Sequence, residues 1–232
     1  MSEQSLKDKT AKGFLWGALN NGTMQILNAV FGIVIARILT QEDYGLVGML
    51  LIFSTIAGAL QDSGFVTALT NKKDATHRDF NSVFWFNITC SLLLYIILCG
   101  ASPLIAKIYD EPRLTSLACY QFLAFFISSF SIVPRSILFR NLQQKELAVM
   151  SIISLFISGT AGVIMALNGM AYWGIATQTI IYNLSNTAIS WWLSGWRPSF
   201  KISFQPVREM FGFSSKMLIT YIFNSINNCH LV

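Results

Sequence analysis

The sequence predicts an all-α fold, a polytopic membrane helix bundle with six transmembrane helices and the start of a seventh. Hydrophobic residues make up 53% of the 232 residues and charged residues only 12%, whereas a soluble domain carries about 25% charged residues. Because lipid cannot hydrogen-bond the backbone, a spanning chain must form helices or a closed barrel. Barrel strands alternate apolar and polar residues over about 10 positions, so the long apolar runs found here favour helices.

Six apolar segments reach the length of about 20 residues that a bilayer requires. They are residues 13–39, 44–69, 80–108, 114–134, 147–167 and 171–193, separated by short polar connections. A seventh apolar segment begins near Val207, and Val232 falls inside it or just at its end. We therefore predict an N-terminal six-helix transporter lobe over residues 1–206 and a truncated first helix of a second lobe over residues 207–232.

The basic residues alternate between the two ends of the predicted helices. With the N-terminus inside, the inner segments hold Lys7, Lys9, Lys12, Lys72, Lys73, Arg78, Arg135, Arg140, Lys145, Arg197, Lys201 and Arg208. The outer segments hold only Lys107 and Arg113, with Arg37 at the outer end of the first helix. Since cytoplasmic loops are enriched in lysine and arginine, we predict a cytoplasmic N-terminus.

Several classes of function have no support in the sequence. The net charge of +5 is distributed between apolar runs, not gathered into the basic patch typical of nucleic-acid binding. The two histidines, His77 and His230, are far apart in the chain and form no ligand cluster with metal-site spacing. No Ser/His/Asp set and no glycine-rich phosphate loop is present, so we predict neither an enzyme nor a cofactor.

A polar stripe runs along the first predicted helix. Its members recur every three or four residues and so share one face: Gly13, Gly17, Asn21, Gln25, Asn28 and Gly32. Small residues and amides in a membrane helix are explained by close helix packing, or by a water-filled cavity. Three amides on one face exceed what packing requires, and we interpret Asn21, Gln25 and Asn28 as candidates for a substrate path.

Similar sets occur in other predicted helices. They comprise Ser54, Gly58 and Asp62; Asn87, Ser91 and Tyr95; Ser151, Ser154, Ser158 and Gly162; and Thr179, Asn183, Asn186 and Ser190. The serine and glycine set of the fifth helix is explained best by helix packing. Several polar faces together indicate a bundle around a hydrophilic path, which is typical of a transporter and does not identify the cargo.

Two ionisable residues complete the substrate-path candidates. Asp62 lies within the second predicted span, where a charge costs about 2.5–3.5 kcal/mol at mid-bilayer and usually faces a cavity or a partner. Its position near the inner end of that span also allows a structural cap or an ion pair. Arg37 lies near the outer end of the first helix, where its long side chain can place the guanidinium group at the membrane–water interface.

Two segments carry a resemblance to a known family. Residues 36–49, ARILTQEDYGLVGM, and residues 61–69, QDSGFVTAL, resemble the polysaccharide transporter family. Its members are the bacterial O-antigen, colanic-acid and exopolysaccharide flippases of the multidrug/oligosaccharidyl-lipid/polysaccharide exporter superfamily. The resemblance implies two facing six-helix lobes with a central hydrophilic cavity that opens alternately to each side. It also implies that a polyprenyl-pyrophosphate-linked oligosaccharide is flipped across the bacterial inner membrane.

The length of the chain departs from this family, whose members have twelve or more spans. We therefore expect a truncated member, which would need self-association or a second lobe to enclose a cavity in the membrane lipid. The alternatives are a drug or small-molecule exporter of the same superfamily and a non-functional membrane fragment. A membrane polymerase or acyltransferase is a further alternative, but the longer loops offer only basic residues.

Overall fold

A computed structural model of the protein describes residues 3–61, 69 and 75–200. All regular structure in these residues is α-helical, which confirms the predicted fold class. The helices are α1 (Glu3–Ile38), α2 (Gln41–Gln61), α3 (His77–Ile108), α4 (Arg113–Arg140), α5 (Gln144–Leu167) and α6 (Ala171–Ser194). The predicted seventh helix and the candidate residue Asp62 lie outside the described residues.

Several of the helices are suited to a lipid environment. In the described part of the chain, four are long and apolar enough to cross a membrane: α3, α4, α5 and the Gly13–Ile38 part of α1. Helix α6 is not among them, because Gln178, Asn183 and Asn186 interrupt its apolar residues. The membrane helix bundle is thus confirmed, whereas the number of six spans stays a prediction.

The helices extend beyond the apolar segments that predicted them. Helix α1 begins at Glu3 and not at residue 13, and α4 continues to Arg140 although its predicted end was Pro134. Residues 3–12 contain no proline or glycine, so nothing opposes a helix there, and apolar character marks only the part in lipid. Pro134 is buried, and neighbouring helices allow a membrane helix to tolerate an internal proline.

Local side-chain hydrogen bonds set the starts of α2 and α3. Before α2, the carboxylate of Asp43 accepts hydrogen bonds from the backbone N–H (3.0 Å) and the hydroxyl (2.7 Å) of Thr40. Before α3, Asp79 accepts the same two bonds from Thr76, at 2.8 and 2.9 Å. These pairs give hydrogen-bond partners to N–H and O–H donors that an uncapped helix start would leave without one. The caps explain why both helices begin three residues before their predicted starts at 44 and 80.

Five helices pack in a row, and α2 contacts three of them. Contacts run from α1 to α5, from α5 to α6, from α6 to α4 and from α4 to α3, while α2 contacts α4, α6 and α3. Glycines allow close approach in two places: a Cβ on Gly159 would lie 2.4 Å from the ring of Phe31, and one on Gly174 would lie 3.3 Å from the carbonyl of Gly162. The predicted packing role of small residues in the fifth helix is therefore confirmed.

The chain leaving α6 docks on the start of α3. We call residues 195–200 the α6 exit segment. The side-chain carbonyl of Asn81 accepts a hydrogen bond from the Ser199 backbone at 2.7 Å, and the indole N–H of Trp85 donates to the Ser199 carbonyl at 2.9 Å. Trp196 packs its ring 5.2 Å from that of Phe84. The α6 exit segment is thus part of the folded bundle.

Replacing Asn81 by alanine should loosen the α6 exit segment. The substitution removes the acceptor of the partly buried Ser199 N–H, and an unsatisfied buried donor costs about 1–3 kcal/mol. We expect lower thermal stability in detergent and faster chymotryptic cleavage after Phe200, the last residue of this segment, which is 89% exposed. Asn87→Ala is the matched control, because Asn87 is equally buried on α3 but bonds the Val83 carbonyl of its own helix. Equal cleavage rates for the two variants would contradict this role of Asn81.

Candidate functional site

Within the described residues, helix α1 packs against the bundle through the side that faces α5. Ile35 is 5% exposed, and the ring of Phe31 lies 6.2 Å from that of Phe156 on α5. Near the other end of this contact, the amine of Lys145 lies 5.8 Å from the centre of the Trp16 ring. Phe31 and Trp16 thus both approach α5, so among the described residues the remaining circumference of α1 is available to lipid, water or another partner.

The candidate amides lie on a second, exposed side of α1. Asn21, Gln25 and Asn28 are all exposed. At 3.6 residues per turn, their side chains lie roughly a quarter of the way around the helix axis from the side that meets α5. Among the described residues, none hydrogen-bonds these three side chains. We call this surface, together with Gly32, the amide side of α1.

A third side of α1 is apolar and also exposed. It consists of Leu15, Leu19, Ile26, Val30 and Ile33. Arg37 follows Ile33 by four residues and is exposed, so it continues this apolar side and not the amide side. Burying an unpaired amide in hydrocarbon costs about 4–8 kcal/mol, whereas leucine and valine are favourable there. The apolar side is therefore suited to lipid, and the amide side requires water or a polar partner.

A cavity of about 360 Å³, lined by both polar and apolar side chains, lies between α2, α4 and α6. Its lining residues come from all three helices: Leu51, Ser54 and Thr55; Gln121, Ala124, Phe125 and Ser128; and Thr179 and Asn183. At about 30 Å³ for each water molecule, the space is large enough for several waters or for one polar group of a larger ligand.

Two groups at this cavity lack hydrogen-bond partners. The hydroxyl oxygen of Ser54 and the side-chain carbonyl of Gln121 are buried without a partner, and Gln121 is only 7% exposed. By contrast, Thr55 donates to the Leu51 carbonyl at 2.9 Å, and Asn183 donates to the Thr179 carbonyl at 2.9 Å. Because buried polar groups nearly always have partners, the cavity is built to hold water or a hydrogen-bonding ligand.

The structure separates the predicted polar residues into three groups. Ser54, Thr179 and Asn183 line the cavity. Buried positions between helices are taken by Asn87, Ser91, Ser154, Ser158, Asn186 and Ser190. The substrate-path candidates of α1 do not line this cavity, so the amide side is a separate polar surface. Their role in a substrate path stays a prediction.

Gln121 is one of three polar cavity residues that the sequence patterns missed, together with Thr55 and Ser128. It has no polar neighbour three or four residues away on the cavity side, and its nearest companion there is Ser128, seven residues later. Seven residues are two helical turns, so this pair shares a face of α4 without forming a continuous stripe. A search for polar residues at two-turn spacing would have found it.

The two ends of the bundle differ in charge. At the end where α2 and α4 begin, Arg113 donates to Glu111 at 2.7 Å and also pairs with Glu42. The hydrogen bond from Arg113 holds the pKa of Glu111 below its ordinary value. At the opposite end, where α4 and α6 finish, Arg140 and Arg197 lie beside the start of α3. This difference agrees with the charge pattern of the sequence, while the direction of insertion stays a prediction.

The long apolar helices and their polar surfaces define a multi-pass membrane protein, and comparison with known proteins places it among bacterial ones. Residues 34–230 match a family model described as "Polysaccharide biosynthesis protein". The chain belongs to this family, which confirms the resemblance seen in residues 36–69. The search of solved structures finds no match.

Curated relatives come from several bacteria. The chain is 26% identical over 230 residues to the lipopolysaccharide biosynthesis protein WzxC of Escherichia coli K12, covering 96% of this chain and 46% of the relative. It is 24% identical to the teichuronic acid biosynthesis protein TuaB of Bacillus subtilis 168, with coverages of 96% and 46%. It is 26% identical to the succinoglycan biosynthesis transport protein ExoT of Rhizobium meliloti 1021, with coverages of 91% and 43%. The chain thus spans about half the length of these relatives.

Proposed function

We propose that this chain supplies the N-terminal lobe of a flippase for lipid-linked oligosaccharide or polysaccharide units. In this proposal residues 1–206 form the lobe, residues 207–232 begin a second lobe, and the N-terminus lies in the cytoplasm of a bacterial cell. The membrane is the cytoplasmic membrane, where cell-surface polysaccharides are assembled on lipid carriers. The family and the relatives named for polysaccharide biosynthesis and transport support the class of cargo.

The observation that carries the proposal is the division of the exposed surface of α1 into an amide side and an apolar side. A lipid-linked oligosaccharide has a polar sugar head that must cross hydrocarbon and an apolar chain that remains in it. The exposed amides of Asn21, Gln25 and Asn28 offer hydrogen bonds to hydroxyl groups and water. The neighbouring apolar side matches the lipid chain, so one helix serves both parts of an amphiphilic cargo.

The cavity between α2, α4 and α6 supports the same function. The unpartnered oxygens of Ser54 and Gln121 accept hydrogen bonds from water or from sugar hydroxyls. Translocation changes the position of the cargo and none of its covalent bonds, so it needs no nucleophile and no acid–base pair. We therefore infer a transport protein and not an enzyme.

A complementation experiment tests this function. In an E. coli strain without WzxC, we would express a chimaera in which this chain replaces the matching 46% of that relative, and measure lipid-linked sugar intermediates. The expected result is that the chimaera lowers the untranslocated intermediate that accumulates in the mutant. Comparison with this chain expressed alone shows whether its copies can form a cavity by self-association. A chimaera that reaches the membrane in normal amount and leaves accumulation unchanged would contradict the proposal.

A further inference from the structure

A second cavity, of about 640 Å³, lies at the basic end of the bundle. It is formed where α3 begins and where α4 and α6 end, and it shares no described lining residue with the cavity between α2, α4 and α6. Its lining comprises Ala75, His77, Phe80, Ile137, Arg140, Asn141, Ser194, Gly195, Trp196 and Arg197. Neither the proposed substrate path nor the family match assigns a role to it.

The charges around this cavity favour an anion. The guanidinium groups of Arg140 and Arg197 and the imidazole of His77 approach it from three different elements, and no acidic residue is among the described residues that line it. His77 is the first residue of α3, so the positive end of that helix dipole also faces this region. Helix starts combined with arginines are frequent binding places for phosphate groups.

Hydrogen bonds to neutral carbonyl groups hold the basic side chains in position. The Arg197 guanidinium donates to the carbonyls of Trp191 (2.8 Å) and Trp196 (2.9 Å), and its centre lies 5.7 Å from the Trp191 ring. His77 Nε2 donates to the Arg197 carbonyl at 3.0 Å, and Arg140 donates to the Leu69 carbonyl at 3.2 Å. The carbonyl groups orient the Arg197 guanidinium without neutralising its charge.

The cavity also has a buried donor without an acceptor. Trp196 is 9% exposed, lines the cavity, and its indole N–H has no hydrogen-bond partner. The ring is locked between neighbours, with its centre 5.2 Å from that of Phe84 and 5.8 Å from that of His77. A buried N–H is nearly always satisfied in a folded protein, and this unpartnered donor belongs to a ring that lines the cavity.

We propose that this cavity binds the phosphate group of an anionic membrane-lipid headgroup. The exposed Trp192 and the partly buried Trp191 lie at the same end of α6, and tryptophans concentrate at the level of the lipid headgroups. A phosphate there would meet Arg197, His77 and the indole N–H of Trp196 together. The bound lipid would join the ends of α3, α4 and α6. This proposal does not depend on which cargo the protein moves.

Binding can be measured with the full chain in phosphatidylcholine nanodiscs titrated with phosphatidylglycerol and analysed by native mass spectrometry. We expect His77→Gln combined with Arg197→Gln to weaken phosphatidylglycerol binding at least tenfold. The matched control is Lys107→Gln, an exposed residue at the opposite end, which should change binding less than twofold. An equal loss in the control, or unchanged binding in the double variant, would overturn the proposal.

A second variant tests the site without removing a charge. Trp196→Phe retains an aromatic ring but lacks the N–H, so we expect normal thermal stability with a severalfold loss of phosphatidylglycerol affinity. Unchanged affinity would show that the indole is not a ligand. Geranyl diphosphate added as a second probe distinguishes the source of the phosphate. If it binds in a manner sensitive to Arg197→Gln while phosphatidylglycerol does not, the headgroup proposal fails and the site recognises isoprenoid diphosphates.

Discussion

Replacing Asn21, Gln25 and Asn28 together by leucine is expected to abolish most translocation by the chimaera. These side chains form the exposed amide side of α1, and each hydrogen bond that they make to a polar head contributes about 0.5–1.5 kcal/mol. Loss of three such bonds corresponds to roughly a 10- to 2,000-fold slower passage. The measurement is the rate at which lipid-linked sugar disappears from the untranslocated pool.

The matched control lies on the apolar side of the same helix. Leu19→Ile, Ile26→Leu and Val30→Ile change three exposed side chains while retaining their apolar character, and should leave the rate within about twofold of the parent. If both triple variants transport equally well, the amide side has no part in the path. If the leucine variant instead loses thermal stability and membrane yield, the amides serve helix packing, which was the other explanation of the stripe.

Gly159→Ala is expected to destabilise the contact between α1 and α5 by about 1–3 kcal/mol, the range found for overpacked sites. A Cβ at this position would lie 2.4 Å from the ring of Phe31, so the ring and its helix must move. Without that clash, the same substitution in a helix gains up to about 1 kcal/mol. Thermal unfolding in detergent measures the difference.

Gly100→Ala provides the matched control, because Gly100 is a helical glycine on α3 with no atom within 4 Å of an added Cβ. It should leave stability unchanged or slightly raised. Combining Gly159→Ala with Phe31→Ala removes the clashing ring, and the double variant should be less destabilised than the sum of the single effects. Equal stability of Gly159→Ala and Gly100→Ala would show that this contact does not hold α1 in place.

The helices themselves followed from local patterns in the chain. Long apolar runs predict membrane helices because a backbone in lipid must form its hydrogen bonds within its own helix. This requirement does not depend on residues far away in the sequence. The short connections predicted after residues 39 and 167 separate the helices on either side of them, since α1 ends at Ile38 and α5 at Leu167. Helix ends were less accurate, since α1 extends to Glu3 and α4 passes Pro134 to reach Arg140. Hydropathy reports where a helix lies in lipid, whereas capping and helix propensity determine where it ends.

Spacing along α1 was enough to place Asn21, Gln25 and Asn28 on one face, because a helix repeats every 3.6 residues whatever surrounds it. Tertiary structure decided that this face is exposed, since the contact of Phe31 with Gly159 turns another side of α1 toward α5. It also brought Gln121 into one cavity with residues of α2 and α6, and Trp196 beside His77. Such neighbours depend on the shapes of helices that are distant in sequence, and no local pattern specifies which of them meet.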